Sequence, residues 1–223
     1  MNYHARSERR RRLRLWLAGS ACLVLAGCQL PGFLGANLLP ESKVKAVYTP
    51  IDQRTLLLVD DPRHALPSPQ FATLIAQAVA QDLQKQNVIS EFTAATLLED
   101  LRQRERDFDL WPIDQIGQRL GARQVIYVLI DGFEPGGRGQ ELQRPMASAR
   151  LKVVDVGTGK RLFPLQGEHG VTSTLTFKQP PLDAHSHGRD SLIARQLAQR
   201  LGLDLAQQFY AHKRREIGSG FDE

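Results

Sequence analysis

The run Val125-Ile-Tyr-Val-Leu-Ile130 constrains the fold more than any other stretch, because β-branched and aromatic residues in unbroken succession read as a strand. It is entered directly from a helical pattern. Pro112 suits a first turn, Ile113, Ile116 and Leu120 fall on one face, and Gly121 is the stop. A second short apolar run, Arg54-Thr-Leu-Leu-Leu-Val-Asp60, reads as a buried central strand that ends at Asp61-Pro62. Between the two strands the period changes. Phe71, Leu74, Ile75, Ala78, Val79 and Leu83 form one helical face, and Leu97, Leu98 and Leu101 form another, in a helix expected from Ala94 to Arg106 with Thr93 as N-cap. Val88 to Phe92 reads as a short strand between these helices.

Beyond Ile130 the pattern alternates. Gly132 to Arg144 reads as a loop, Ala147 to Val156 as a strand, and Val156-Gly-Thr-Gly-Lys160 as a turn into Arg161-Leu-Phe163. Val171, Ser173, Leu175 and Phe177 alternate with threonines, which predicts another half-buried strand. A long C-terminal helix is expected over 190–212, with Leu192, Ile193, Leu197, Leu201, Leu205 and Phe209 inward. This order predicts an α+β (mixed α/β) domain: one sheet flanked by helices, closed by a C-terminal helix, over residues 52–215 with a tail at 216–223.

The N-terminus speaks of location. The block Arg9-Arg-Arg-Arg-Leu-Arg14 precedes an apolar segment, Leu15 to Leu25, shorter than the roughly 20 residues of a spanning helix. That segment ends in Leu25-Ala26-Gly27-Cys28, which resembles the lipobox of bacterial lipoprotein signal peptides. The resemblance implies cleavage after Gly27, a diacylglycerol and palmitate anchor on Cys28, and a tether over 28–51. Gln29 follows the cysteine where Asp often marks inner-membrane retention, so the resemblance favours the periplasmic side of an outer membrane.

Charge and cysteine usage agree with that leader. The chain has 29 Lys+Arg and 24 Asp+Glu, an excess that taken alone suggests nucleic acid. Residues 1–27 contain six of the arginines and only one acid, Glu8, so 23 bases and 23 acids remain from Cys28 onward. A neutral mature chain gives a nucleic-acid partner no electrostatic basis. Cys22 leaves with the leader, and the lone Cys28 has no internal disulfide partner.

The strand–helix–strand order, the helix Ile113…Ile116-Gly117…Leu120-Gly121-Ala122 leading into Val125–Ile130, and the hairpin Leu151-Lys-Val-Val-Asp155-Val-Gly-Thr158-Gly159-Lys160 form a pattern over 52–165. It resembles the α/β domain shared by the TolB N-terminal domain, the curli secretion lipoprotein CsgG and the penicillin-binding-protein activator LpoB, a domain similar to the anticodon-binding fold. The resemblance implies an envelope adaptor with no catalytic residues and no cofactor besides the lipid on Cys28. A pore of the CsgG kind needs spanning hairpins with strands of roughly 9–11 residues, and only 170–178 offers one.

The residues themselves support no enzyme. Ser148, Ser173 and Ser191 lack a nucleophile elbow. Gly136-Gly-Arg-Gly139 lacks a GK[ST] ending and a following helix. Asp60-Asp61 reads as turn chemistry before a proline, and Phe108 with Trp111 as a packed helix junction. Asp183-Ala-His185-Ser-His187 is the most ligand-like cluster, a candidate for zinc or copper that His64 or His169 would have to complete. The leading expectation is a non-enzymatic lipoprotein that binds another envelope protein through the 132–146 or 179–189 loop. The alternatives are a metal or small-ligand module built on Asp183, His185 and His187, or a component of an oligomeric export apparatus.

Overall fold

Val125, Ile126 and Val128 are wholly buried, and the sheet is built around the strand that holds them. The structure is a computed structural model that describes residues 43–135, 144–165, 170–176 and 189–213. All of these belong to the second of two units into which the chain divides, Met1–Ser42 and Lys43–Glu223. The elements in order are β1 (Lys43–Val44), β2 (Thr55–Asp60), α1 (Pro69–Lys85), α2 (Ala95–Arg104), a 3-10 turn (Phe108–Leu110) and α3 (Ile113–Arg119). Then follow β3 (Gln124–Glu134), β4 (Met146–Asp155), β5 (Arg161–Phe163), β6 (Val171–Thr176), α4 (Arg189–Gln207) and β7 (His212–Lys213).

The mixed class read from the element order is the observed one. β2 lies parallel to β3, from Thr55 beside Gln124 to Asp60 beside Leu129. Such a pair requires a crossover, here made by α1, α2 and α3. β4 runs antiparallel to β3. Along its other edge β4 takes β6 over Met146–Leu151 and β5 over Val153–Val154. β1 and β7 form a separate antiparallel pair.

Alternation sends Ile126, Val128, Ile130, Ala149, Leu151 and Val153 to one face, where α1 and α4 close the main core. α1 contributes Ile75, Val79 and Leu83; α4 contributes Ala194, Leu197, Ala198, Leu201 and Leu205, the spacing of a helical apolar stripe. The two helices touch at Gly202. A Cβ there would lie 2.6 Å from the Ala78 Cβ and 2.8 Å from the Ile75 carbonyl oxygen. The opposite face packs Leu56, Leu58, Val125 and Val156 against Leu98, Phe108 and Ile116.

Several expectations change. Val88–Phe92 is no strand; it contributes one bridge, Thr55 with Phe92, because its backbone meets β2 only there. Thr93 does not cap α2, whose N-cap is Ala94 without a side-chain hydrogen bond. β3 continues through Gly132–Glu134, where a loop was expected, by passing a bulge at Asp131. The C-terminal helix stops at Gln207, and residues 212–213 turn back as β7. Leu192 is 60% exposed, not inward, because it lies off the Leu197–Leu201–Leu205 stripe. Residues 43–51, expected in the tether, are bonded to the domain: the Val47 and Tyr48 amides donate to the Gln208 carbonyl, and Tyr48 stacks on Phe163 at 5.0 Å.

The β4–β5 turn forms as read. The backbone N–H and hydroxyl of Thr158 donate to Asp155 Oδ1 at 2.8 and 2.7 Å. The hydroxyl first and the amide second hold the Asp155 carboxyl below its usual range. A depressed folded pKa stabilises the native state above the unfolded value and ceases to do so as pH falls through the folded one.

Two outcomes are expected. Thr158→Val raises the Asp155 carboxyl pKa toward the ordinary carboxylate range, read by NMR titration. Gly202→Ala, which normally stabilises a helix interior by about 1 kcal/mol, instead destabilises by about 1–3 kcal/mol in urea unfolding, because the Ile75 backbone cannot yield.

Candidate functional site

The described helices cover the second sheet face only at one end. α2, the 3-10 turn and α3 sit over Leu56, Leu58 and Val125, with the Arg102 guanidinium 5.0 Å above the Phe108 ring. Farther along the strands the outward positions become mostly polar: Asp60 on β2, Tyr127 and Asp131 on β3, Ser148, Arg150 and Lys152 on β4, with half-buried Leu129 and exposed Met146 among them. The register continues this strip onto β6. Thr172 lies beside Arg150, Thr174 beside Ser148 and Thr176 beside Met146, and all three threonines are exposed. The alternate β6 residues Val171, Ser173 and Leu175 face the core beside Leu151, Ala149 and Ala147. The buried Ser173 hydroxyl bonds the Asp204 carboxylate.

Two contacts hold the strip in place. The Tyr127 hydroxyl donates to Asp60 Oδ2 at 2.7 Å. Burial first, and this bond second, push the phenol well above its usual pKa, so it stays a donor. Arg150 grips Asp131 bidentately: Nε lies 3.0 and 2.9 Å from the two carboxylate oxygens, and a terminal guanidinium nitrogen lies 2.7 Å from Oδ1. Both side chains are 22% exposed. The bulge makes this pair possible. The register passes from Ile130–Ala149 to Gly132–Ser148, and Asp131 is the extra residue. A second feature, an apolar-edged groove of about 330 Å³, lies between α2 and α3, lined by Leu97, Leu101, Arg104, Glu105, Arg119 and Leu120.

The residues singled out from sequence fare differently. The Asp61 carboxylate accepts the Ala65 and Leu66 amides at 2.9 and 2.8 Å, which is turn chemistry. The Phe108 and Trp111 rings pack 6.3 Å apart beside α3. His64 is exposed in the turn after β2. Leu25, Ala26, Gly27, Cys28, Gly136, Gly137, Gly139, His169, Asp183, His185 and His187 lie outside the described residues, as does most of each loop expected to bind a partner. Among the described residues no group of three or more His, Cys, Asp or Glu converges as a metal site. Nor is any described helix long and apolar enough to cross a membrane. Sequence reasoning missed the strip. Ser148, Arg150 and Lys152 are legible as the outward positions of β4, but only the bulge brings Asp131 to Arg150.

No protein-family model matches the chain, and no curated protein matches it. Solved structures resemble it distantly. A PelC dodecamer from Paraburkholderia phytofirmans is 13% identical and covers 74% of this chain and 98% of its own, with a TM-score of 0.41. The lipoprotein GNA1162 from Neisseria meningitidis is 15% identical, covers 66% of this chain and 95% of its own, and also scores 0.41. The LpoB C-terminal domain from Salmonella enterica is 12% identical over 59% of this chain and 88% of its own, at 0.36. These similar chains thus include bacterial lipoproteins, but at such scores the likeness carries no assignment of function.

A double-mutant cycle on Arg150→Ala and Asp131→Ala should return a coupling of about 1 kcal/mol in urea unfolding, as for a well-formed ion pair near the surface. A coupling near zero would mean that the pair adds nothing to the strip.

Proposed function

We propose that this chain is a non-enzymatic envelope lipoprotein, anchored through acylated Cys28 to the periplasmic face of the outer membrane, whose domain binds another envelope protein. The observation that carries the binding role is the half-covered sheet. One face is closed by α1 and α4, whereas the other leaves an ordered strip from Tyr127 across Arg150 to Thr174 without a described helix over it. Two of its side chains, Tyr127 and Arg150, are already held by Asp60 and Asp131, which lowers the ordering that a partner would have to impose there. The alternation of polar side chains on a flat sheet suits a protein surface better than a small molecule, which favours an enclosing cavity. The lipobox residues Leu25, Ala26, Gly27 and Cys28 support the anchor.

Two measurements test the two halves. Metabolic palmitate labelling should mark the wild-type protein and not Cys28→Ala. A photo-crosslinking residue at Thr174 should give, in cells, one adduct with one envelope protein, whereas the same residue at exposed Gln77 on α1 gives none. Equal adducts from both positions, or none from Thr174, would overturn the surface assignment. A ladder of self-adducts would favour an oligomeric export component instead.

A further inference from the structure

The pairing of β1 with β7 brings the two ends of the domain together. Lys43 lies opposite Lys213, and Val44 opposite His212. The edge continues along the incoming segment. Val44, Ala46 and Tyr48 turn inward, Tyr48 against Phe163 and Phe209, while Lys43, Lys45 and Val47 turn outward. Lys43, Lys45 and Lys213 are exposed, and Val47 is 53% exposed. In sequence, 41–45 (ESKVK) and 212–216 (HKRRE) together hold five Lys or Arg against two Glu. The sequence from Cys28 onward is neutral as a whole, so these two segments are locally basic in sequence; Glu41, Arg214, Arg215 and Glu216 lie outside the described residues.

We infer that the basic edge formed by Lys43, Lys45 and Lys213 is a second membrane contact, which recognises the headgroups of anionic phospholipids. The inference rests on the proposed anchor for its geometry. Fourteen residues separate Cys28 from Lys43, and the fifteen steps between the two span at most about 50 Å. The edge is therefore the part of the described domain at which the lipidated segment enters, and it faces the bilayer at high effective concentration. The chemistry fits lipid. Lysines are compact, hydrated cations suited to diffuse attraction to phosphate, and an apolar Val47 between them and the fold suits the headgroup boundary. Contact at this edge would orient the domain, with the Thr172–Thr176 strip held at a set angle to the membrane rather than swinging on its tether.

The test separates this contact from the anchor. The mature chain from residue 28 carrying Cys28→Ala has no acylation site, so any vesicle binding it shows comes from the fold. It should sediment with phosphatidylcholine vesicles containing about one-third phosphatidylglycerol, release as salt is raised past the Debye screening range, and ignore pure phosphatidylcholine. Adding Lys43→Gln and Lys45→Gln should lower the partition coefficient about thirtyfold, roughly fivefold per lysine. Circular dichroism should show the variant folded, since both side chains are exposed. Absence of binding to the anionic vesicles, equal binding to both vesicle types, or binding indifferent to the two substitutions would overturn the inference. Failure of the anchor reads differently, as loss of palmitate labelling at Cys28 with the vesicle result unchanged.

Discussion

Burial of β3 on both faces is the constraint on which the rest of the architecture depends. Ile126, Val128 and Ile130 point into one core, and Val125 and Tyr127 into the other. Fully burying each aliphatic side chain of this kind contributes about 1.5–3 kcal/mol. The strand must therefore lie between neighbours on both edges and layers on both faces. β2 supplies the parallel edge and demands the crossover through α1–α3, while β4 supplies the antiparallel edge through a local connection.

The two faces are then treated unequally, and that inequality is where function enters. α1 and α4 meet closely enough at Gly202 to seal one side over the full width of the sheet. The shorter α2 and α3 cover only the end of the other side nearest Leu56 and Val125. The remaining stretch has no described helix over it and is laid out mostly in charged and hydroxyl side chains, with Leu129 and Met146 among them. The Asp131 bulge and the Tyr127–Asp60 bond hold Arg150 and Tyr127 there, where no described helix lies over them.

The parts of the fold legible in the sequence were those whose burial is local in pattern. The apolar runs at 55–60 and 124–130, the helical stripe of α1 and the Asp155–Thr158 turn each carry their reason within a few neighbouring residues. The missed parts depend on residues far apart. β1 and β7 are two residues long, and their pairing accompanies the docking of Tyr48 against Phe209 and the hydrogen bond from the Tyr48 amide to the Gln208 carbonyl, just past the end of α4 at Gln207. The bulge at Asp131 leaves no mark in the composition of Ile130-Asp-Gly132, since a strand end and a strand that bends past an extra residue look alike in one dimension. Leu192 was expected inward, yet it falls off the face on which Ala194, Leu197 and Leu201 are buried.

By itself the sequence determined the order of the main helices and strands, the mixed class and the lipobox-like leader, because hydrophobic period and short motifs are properties of neighbouring residues. Only the tertiary structure decided which outward positions become one surface. Asp60, Tyr127, Asp131, Arg150 and Thr174 are spread over four strands, and their meeting depends on strand register and on one bulge. The same holds for Lys43 and Lys213, near opposite ends of the described chain, which a two-residue pairing places side by side. Register is a relation between distant segments, and it is settled when both segments bury their alternate side chains in a common core.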